Sequence, residues 1–269
     1  MLSENSILRR LPPGVNPKQL VFVDGIRHAA EIAALAYSRL ESTLTWIVSN
    51  THDSPPQSQA YTTAFLDAWA VVDAVDRFRL LWKMFPGITF AEPQDPSARS
   101  FDEIAQPVRN LRNVADHLAQ HAEYVAASGN PVLGLLSWIT FPSEESDDGF
   151  SCVLAPGTRS AIKLALVNPA GGGYFSVPRR TGMIHLAAGE HRANLSEVLP
   201  EMRSRVEELE HGLAEQIRLL GLEGKQAGGD HFLALTFKAG AADTSIETQP
   251  GADWELAVGG ESPYKIAPL

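Results

Sequence analysis

The chain contains a single cysteine, Cys152, among its 269 residues. One cysteine cannot form an internal disulfide, which excludes the disulfide-stapled secreted domains and is typical of a reducing compartment. No apolar run approaches the ~18 residues that a membrane-spanning helix requires. The first residues also lack the apolar segment of a signal peptide. From these absences we expect a cytoplasmic protein that does not enter the membrane.

Basic residues are scarce as well, because 22 Lys and Arg stand against 32 Asp and Glu and leave a net charge of -10. This balance excludes a general nucleic-acid coat, which would be basic, but it permits a local basic cleft. Two catalytic signatures are missing. The sequence has no Gly-x-Ser-x-Gly nucleophile elbow. The glycine run at residues 171–173 lacks the following Lys-Ser/Thr of a phosphate-binding loop.

Three long segments in the first half carry apolar residues at steps of three and four, the period of an amphipathic helix. Turn-forming Pro and Gly residues follow the second and third segments, as expected where helices end. An irregular arm is expected before the first of them, over residues 1–19. The predicted helices cover residues 20–49, 57–85 and 101–128.

Beyond residue 129 the pattern changes to short apolar runs separated by Gly, Pro, Asn and Asp, which indicates β-strands. A fourth helix is predicted over residues 195–220, with Pro200 in its first turn. Strands are predicted at residues 132–141, 150–154, 162–167 and 183–186, and residues 231–237 and 254–258 are candidates for closing strands.

The predicted fold class is therefore α+β. Long helices form a bundle, and a small antiparallel β-sheet is inserted between the third and fourth helices. The bundle occupies residues 20–129. The β-rich segment with its one long helix, residues 130–269, either packs on the bundle or forms a separate domain.

The predicted third helix concentrates groups that can bind phosphate or transfer protons. Arg112 and Asp116 form one ridge on its surface. Arg112 precedes His117 by five residues, about 140° around an ideal helix, so the two side chains can share a cleft only where a partner surface covers that side. Residues at intervals of four form the neighbouring ridge: Arg109, Asn113, His117 and His121.

The segment Arg112-Asn113-Val114-Ala115-Asp116-His117 resembles the motif of the HEPN superfamily, in which an Arg and a polar residue precede a His. The resemblance covers this motif, its place on a late bundle helix and the helical layout of residues 20–128, and none of the β-rich segment. It implies an all-helical bundle that is often dimeric. Many members are metal-independent ribonucleases of toxin–antitoxin and phage-defence systems. Many active members carry an aromatic soon after the histidine, whereas Leu118 and Ala119 follow here.

The resemblance also implies roles for individual residues. His117 would act as the acid–base group on the ribose 2′-hydroxyl. Arg112 would bind the phosphate and Asn113 would orient it. Arg109 and His121 are the expected substrate-binding residues, and no cofactor is expected. The expected partners are RNA and a second copy of the chain, bound through the helical region.

Acidic residues of the second helix bear on the same site. An acidic side chain from an earlier helix often assists the HEPN motif, and Asp73 and Asp76 are the candidates by position. The simpler interpretation pairs them with Arg77 and Arg79 on their own helix.

Two further functions remain open. The chain can be a non-enzymatic interaction protein that binds a protein partner through its β-rich segment. Alternatively, His117 and His121 have the i, i+4 spacing of a Zn²⁺ or Ni²⁺ site. With His28 of the first helix as a third ligand, such a site would resemble that of DinB-like four-helix bundles. The plainest alternative is a solvated helix face on which Arg112 and Asp116 form an ordinary ion pair.

Overall fold

The structure is a computed structural model that describes residues 2–13, 15–50, 58–86, 99–117, 131, 133–141, 145, 149–157, 180–225 and 230. The described part has the predicted α+β class, with a four-stranded antiparallel sheet between the third and fourth helices. No helix in these ranges is long and apolar enough to cross a membrane. The elements are a 3-10 helix Ile7–Arg9, α1 (Pro17–Asn50), α2 (Ser58–Lys83), α3 (Phe101–Asp116), β1 (Leu135–Thr140), β2 (Phe150–Leu154), β3 (Gly182–Ala188), β4 (His191–Asn194) and α4 (Leu195–Leu219).

Helices α1 and α2 run antiparallel and pack closely along their length. An ion pair joins Arg39 of α1 to Asp67 of α2 at 3.3 Å. Fourteen residues earlier in α1, Gly25 faces Leu81 of α2 so closely that a Cβ at that position would lie 2.7 Å from Leu81 Cδ1. Glycine therefore permits the close approach of the two helices at this end. The buried residues of α1 follow the predicted steps of three and four.

Helix α3 begins where its sequence provides a cap. The Ser100 hydroxyl accepts from the Glu103 backbone amide, and the Glu103 carboxylate accepts from the Ser100 amide in return. This capping box satisfies two amides that the helix leaves without partners. The helix ends at Asp116, with His117 as its C-cap. The predicted continuation to residue 128, which includes His121, lies outside the described residues.

The sheet has the strand order β2-β1-β3-β4, and every neighbouring pair is antiparallel. Strand β4 is missing from the sequence prediction. Gly189, with φ of 59°, and Glu190 link it to β3 as a two-residue hairpin turn. Between β1 and β3 the register shifts at a bulge, where Met183 adopts a φ of 49°. The predicted strands at 162–167, 231–237 and 254–258 lie outside the described residues.

Helix α4 begins earlier than Pro200 suggests. The Asn194 side chain caps it by accepting from the Ser196 amide at 3.1 Å, so Leu195 is the first helical residue. The prediction that Pro200 lies in the first turn is therefore wrong, because Pro200 lies in the second turn. A proline there has no N–H to give the carbonyl four residues earlier, and that carbonyl belongs to Ser196.

The sheet packs on the helices through one shared hydrophobic core. Leu136 and Trp138 of β1 and Ile184 of β3 belong to the same buried cluster as Ile26 and Leu40 of α1. The N-terminal segment predicted as an irregular arm contributes to this cluster as well, because the short 3-10 helix buries Leu8. All the elements described above lie within one unit, residues 1–228.

Candidate functional site

Arg112 lies on the surface of α3 that faces α2, and carboxylates surround it. Its Nη1 donates to Asp76 Oδ2 at 2.8 Å. Its Nη2 lies 3.5 Å from Asp73 Oδ1, and its Nε lies 3.6 Å from Asp116 Oδ2. Only the Asp76 contact has the distance of a strong charge-assisted hydrogen bond. The guanidinium is thus anchored at one corner, and 27% of the side chain remains exposed.

Asp76 is the centre of a larger network between the two helices. It is buried, with 6% of its side chain exposed, and its second oxygen accepts from Arg79 Nε at 3.0 Å. Arg79 is buried too, and its Nη1 donates to Asp102 of α3 at 2.9 Å. Two guanidiniums and two carboxylates therefore alternate across the α2–α3 interface, which compensates the buried charges.

The acidic residues predicted to assist the motif do contact Arg112, and they also pair within α2. Asp73 accepts from Arg77 at 2.7 Å while its other oxygen faces Arg112. Asp76 bridges Arg79 and Arg112. Both interpretations of these two residues are therefore realised at once, because each carboxylate has two oxygens and uses both.

The network shifts the protonation equilibria of its members. The hydrogen bond that Arg112 donates to Asp76 raises the pKa of Arg112, against the opposing effect of burial. The hydrogen bond from Arg79 lowers the pKa of Asp102, and Lys83 and Arg109 add to this effect. Both shifts favour the charged forms.

The remaining motif residues lie at the exposed C-terminal end of α3. Asn113 and His117 are exposed, and the His117 backbone amide donates to the Asn113 carbonyl at 3.2 Å. Arg109 is exposed one turn before Asn113. Their assignment to catalysis and substrate binding stays a prediction, as does that of His121, which lies outside the described residues.

The metal alternative finds no support in the described ranges. They contain no group of three or more His, Cys, Asp or Glu side chains that could hold a metal ion. His28 is exposed on α1, with its Nε2 3.0 Å from Arg27 Nη2. A guanidinium at that distance competes with a metal for the same imidazole nitrogen.

A second concave site was missed by the sequence analysis. A cavity of about 670 Å³ opens between α1, α4 and the start of β3. Its polar lining includes Tyr37 and Glu41 of α1, Arg180, and Ser196 of α4. The i, i+4 spacing of Tyr37 and Glu41 was the only signal in the sequence. Ser196 follows 159 positions after Tyr37, so only folding brings them together.

Comparison with protein-family models, curated proteins and solved structures finds no match to the chain. Its function is therefore inferred from its own residues and their geometry.

Proposed function

We propose that the chain is a HEPN-like, metal-independent endoribonuclease of a defence or stress system, with Arg112, Asn113 and His117 as its catalytic residues. The observation that carries the proposal is the anchoring of Arg112. Asp76 fixes one corner of its guanidinium across the α2–α3 interface, and over a quarter of the side chain stays exposed at the end of α3 that bears His117. A preorganised but accessible guanidinium is what an oxyanion-binding group requires.

The neighbouring carboxylates leave room for a phosphate. Asp73 and Asp116 contact Arg112 at 3.5 Å and 3.6 Å, and both are well exposed, at 43% and 60% of their side chains. Ion pairs of this kind contribute only ~0–1 kcal/mol, so a phosphate can displace them. The exposed cations Arg77 and Arg109 lie on the same two helices. Arg77 is itself paired with Asp73 at 2.7 Å, so a phosphate would reach it only by displacing that carboxylate.

The reaction is a transesterification that needs no metal. His117 removes the proton from a ribose 2′-hydroxyl, and the resulting oxygen attacks the adjacent phosphorus. Arg112 stabilises the charge that develops on the non-bridging oxygens. The bond to the 5′-oxygen breaks, and a proton is returned to this oxygen. The products carry a 2′,3′-cyclic phosphate and a 5′-hydroxyl. Arg109 and His121 bind the neighbouring nucleotides in this proposal.

The same proposal includes a homodimer formed through the outer face of α1 and α2. The two helices pack against each other, and both also contact α4. Large apolar side chains on this face are each at least 42% exposed, and Asp73, the neighbour of Arg112, lies among them. A second copy would cover this patch and approach the Arg112 site. The apolar residues are Val21, Ile32, Leu35, Trp46, Leu66, Leu80 and Met84.

The catalytic proposal is tested with purified protein, unstructured RNA and tRNA in the presence of EDTA. We expect cleavage that leaves 2′,3′-cyclic phosphate ends, and a loss of about 10²–10⁴-fold in rate for His117→Ala. The matched control is His211→Ala, which removes an exposed histidine of α4 and should cleave like the wild type. Absence of cleavage by the wild type on every RNA, or unchanged cleavage by His117→Ala, would overturn the proposal.

The dimer is tested separately by measuring molecular mass in solution. Leu35→Glu should convert the dimer to a monomer, because it places a charge at the centre of the apolar face. Leu219→Glu, at an exposed leucine on α4, should leave the mass unchanged. A wild-type protein that is monomeric at high micromolar concentration would contradict the proposed dimer. The test of RNA cleavage does not depend on this result.

The second candidate is a non-catalytic interaction protein that binds a partner through its β-rich segment. It is favoured by the position of Arg112 in the α2–α3 network, where the guanidinium also ties two helices together. In that case the Arg112→Ala variant is less stable than the wild type. Neither the Arg112→Ala nor the His117→Ala variant then cleaves RNA.

A further inference from the structure

The cavity between α1, α4 and β3 contains a continuous chain of hydrogen-bonding groups. The Ile184 amide donates to Ser196 Oγ at 2.8 Å, and Ser196 Oγ lies 2.7 Å from the Tyr37 hydroxyl. Glu41 lies one helical turn after Tyr37 on α1 and lines the same cavity. The Tyr37 hydroxyl donates its single proton to Ser196 Oγ, which also accepts from the Ile184 amide.

The strands and helices hold this chain in place. Met183, with φ of 49°, lies at the β-bulge beside Ile184 and lines the cavity. Thr181 is buried, and its hydroxyl contacts those of Thr45 on α1 at 2.5 Å and Thr140 on β1 at 2.6 Å. A strained backbone held by surrounding contacts is a feature that clusters at functional sites.

Glu41 is left without the cation that would normally offset its burial. Within the described ranges it forms no ion pair within 4 Å, and Arg180 acts on it only as a more distant charge. Desolvation raises the pKa of Glu41, against the opposing effects of Arg180 and Tyr37. Burial likewise raises the pKa of Tyr37 to about 12, so the phenol stays protonated as a donor. The desolvation of the Glu41 carboxylate therefore costs free energy that no ion pair offsets among the described residues.

Other charged groups also line the cavity, and most of them are exposed. Arg203 and Glu207 project from exposed positions of α4, and Arg180 is exposed at the start of β3. Glu210 accepts from the Ser6 hydroxyl. Because Pro200 has no amide proton, the carbonyl of Ser196 also lacks its helical donor.

We propose that this cavity binds a small organic cation, whose ammonium group pairs with the Glu41 carboxylate and whose apolar body lies against Ala30, Ala34, Leu199 and Met202. Those four apolar residues line the cavity. The volume of about 670 Å³ lies within the ~300–1,000 Å³ range of small-molecule sites. This site is separate from the one on α3 and does not depend on RNA cleavage.

The test compares three probes of one shape, benzylamine, benzyl alcohol and benzoate, by NMR-detected titration of the full chain at neutral pH. Benzylamine should bind with a Kd on the order of 1 mM, as expected for a ligand this small. The alcohol and the acid should bind about tenfold more weakly, since they lack the charge that Glu41 pairs with. Glu41→Gln should abolish the preference for the amine, while Glu201→Gln, on α4 outside the cavity lining, should retain it.

Two further measurements test whether benzylamine binds in this cavity. Ala34→Phe should fill it and abolish benzylamine binding, whereas Ala115→Phe, at an exposed position of α3, should not. Binding should weaken as the pH falls through the raised pKa of Glu41, because the neutral carboxyl no longer pairs with the ammonium. No saturable binding of benzylamine, tighter binding of benzoate, or an unchanged preference in Glu41→Gln would each overturn the proposal.

Discussion

Asp76 is a buried carboxylate between α2 and α3, whereas Glu41 is a half-buried carboxylate in the cavity beside α4. Asp76 has a guanidinium on each oxygen, at 3.0 Å from Arg79 and 2.8 Å from Arg112. Glu41 has no ion pair within 4 Å among the described residues, and Arg180 acts on it only from further away. The first carboxylate is satisfied by the fold, whereas the second leaves a deficit that a ligand can fill.

This difference separates two ways in which a fold can use buried charge. A fully paired network fixes helices and orients its outermost member, here Arg112. A partly satisfied carboxylate in a cavity lowers stability in the free protein and provides a favourable contact for an incoming cation. The comparison therefore predicts opposite effects on stability when each carboxylate is neutralised.

The largest expected effect is that of Asp76→Asn. It leaves the buried Arg79 and the half-buried Arg112 without their shared charge, and breaking a buried pair from one side costs about 3–5 kcal/mol. Urea unfolding followed by circular dichroism measures this loss. Asp73→Asn is the control, because Asp73 is 43% exposed and should cost under about 1 kcal/mol. Equal losses in the two variants would show that the buried position of Asp76 has no special weight.

An intermediate effect is expected at the neutral ties beside the cavity. Thr181→Val removes the buried hydroxyl between Thr45 and Thr140 and leaves both without this partner, at a cost of about 1–3 kcal/mol. Thr62→Val, on the exposed side of α2, should stay within about 0.5 kcal/mol of the wild type. If Thr181→Val lowered the free energy of unfolding as much as Asp76→Asn, buried ion pairs and neutral hydrogen bonds would not differ in their effect on stability.

The smallest effect, and the one with the opposite sign, is expected for Glu41→Gln. The folded-state pKa of Glu41 is raised by desolvation, so its contribution to stability is present at low pH and is lost as the pH rises through that value. At pH 7 the glutamine variant should therefore be at least as stable as the wild type. Near pH 4, where Glu41 is increasingly protonated, the stability of the wild type should rise relative to that of the Glu41→Gln variant.

Thermal unfolding of both proteins across this pH range checks the sign. A marked loss of stability in Glu41→Gln at pH 7 would mean that Glu41 is already compensated in the free protein. The contrast with Asp76 would then fail, and with it the reason for a cationic ligand.

The sequence was sufficient for the fold class and for most element boundaries. Helices α1, α2 and α4 begin within three residues of their predicted starts, because each has a strong apolar period and clear end signals. Strand β4 was missed, since its four residues are too short and polar to show a period. The Gly189-Glu190 pair was the available signal for the hairpin.

Position along the chain also predicted which acidic residues would approach Arg112. Asp73 and Asp76 were chosen because they precede the motif helix on α2, and both contact the guanidinium. The sequence could not predict which carboxylate each N–H group of Arg112 would contact. That depends on the separation and rotation of α2 against α3.

Local residue order determined the helices, the caps of α3 and α4 and the polar ridge on α3, since periodicity and capping act over a few positions. Tertiary packing alone decided which carboxylates lost their water and which of them gained a cation. Burial and ion pairing depend on side chains from separate elements, as the contact between Tyr37 and Ser196 illustrates. The amino-acid sequence thus supplied the charged groups, and the packing of α1 to α4 gave Asp76 two guanidiniums and left Glu41 with none within ion-pairing distance among the described residues.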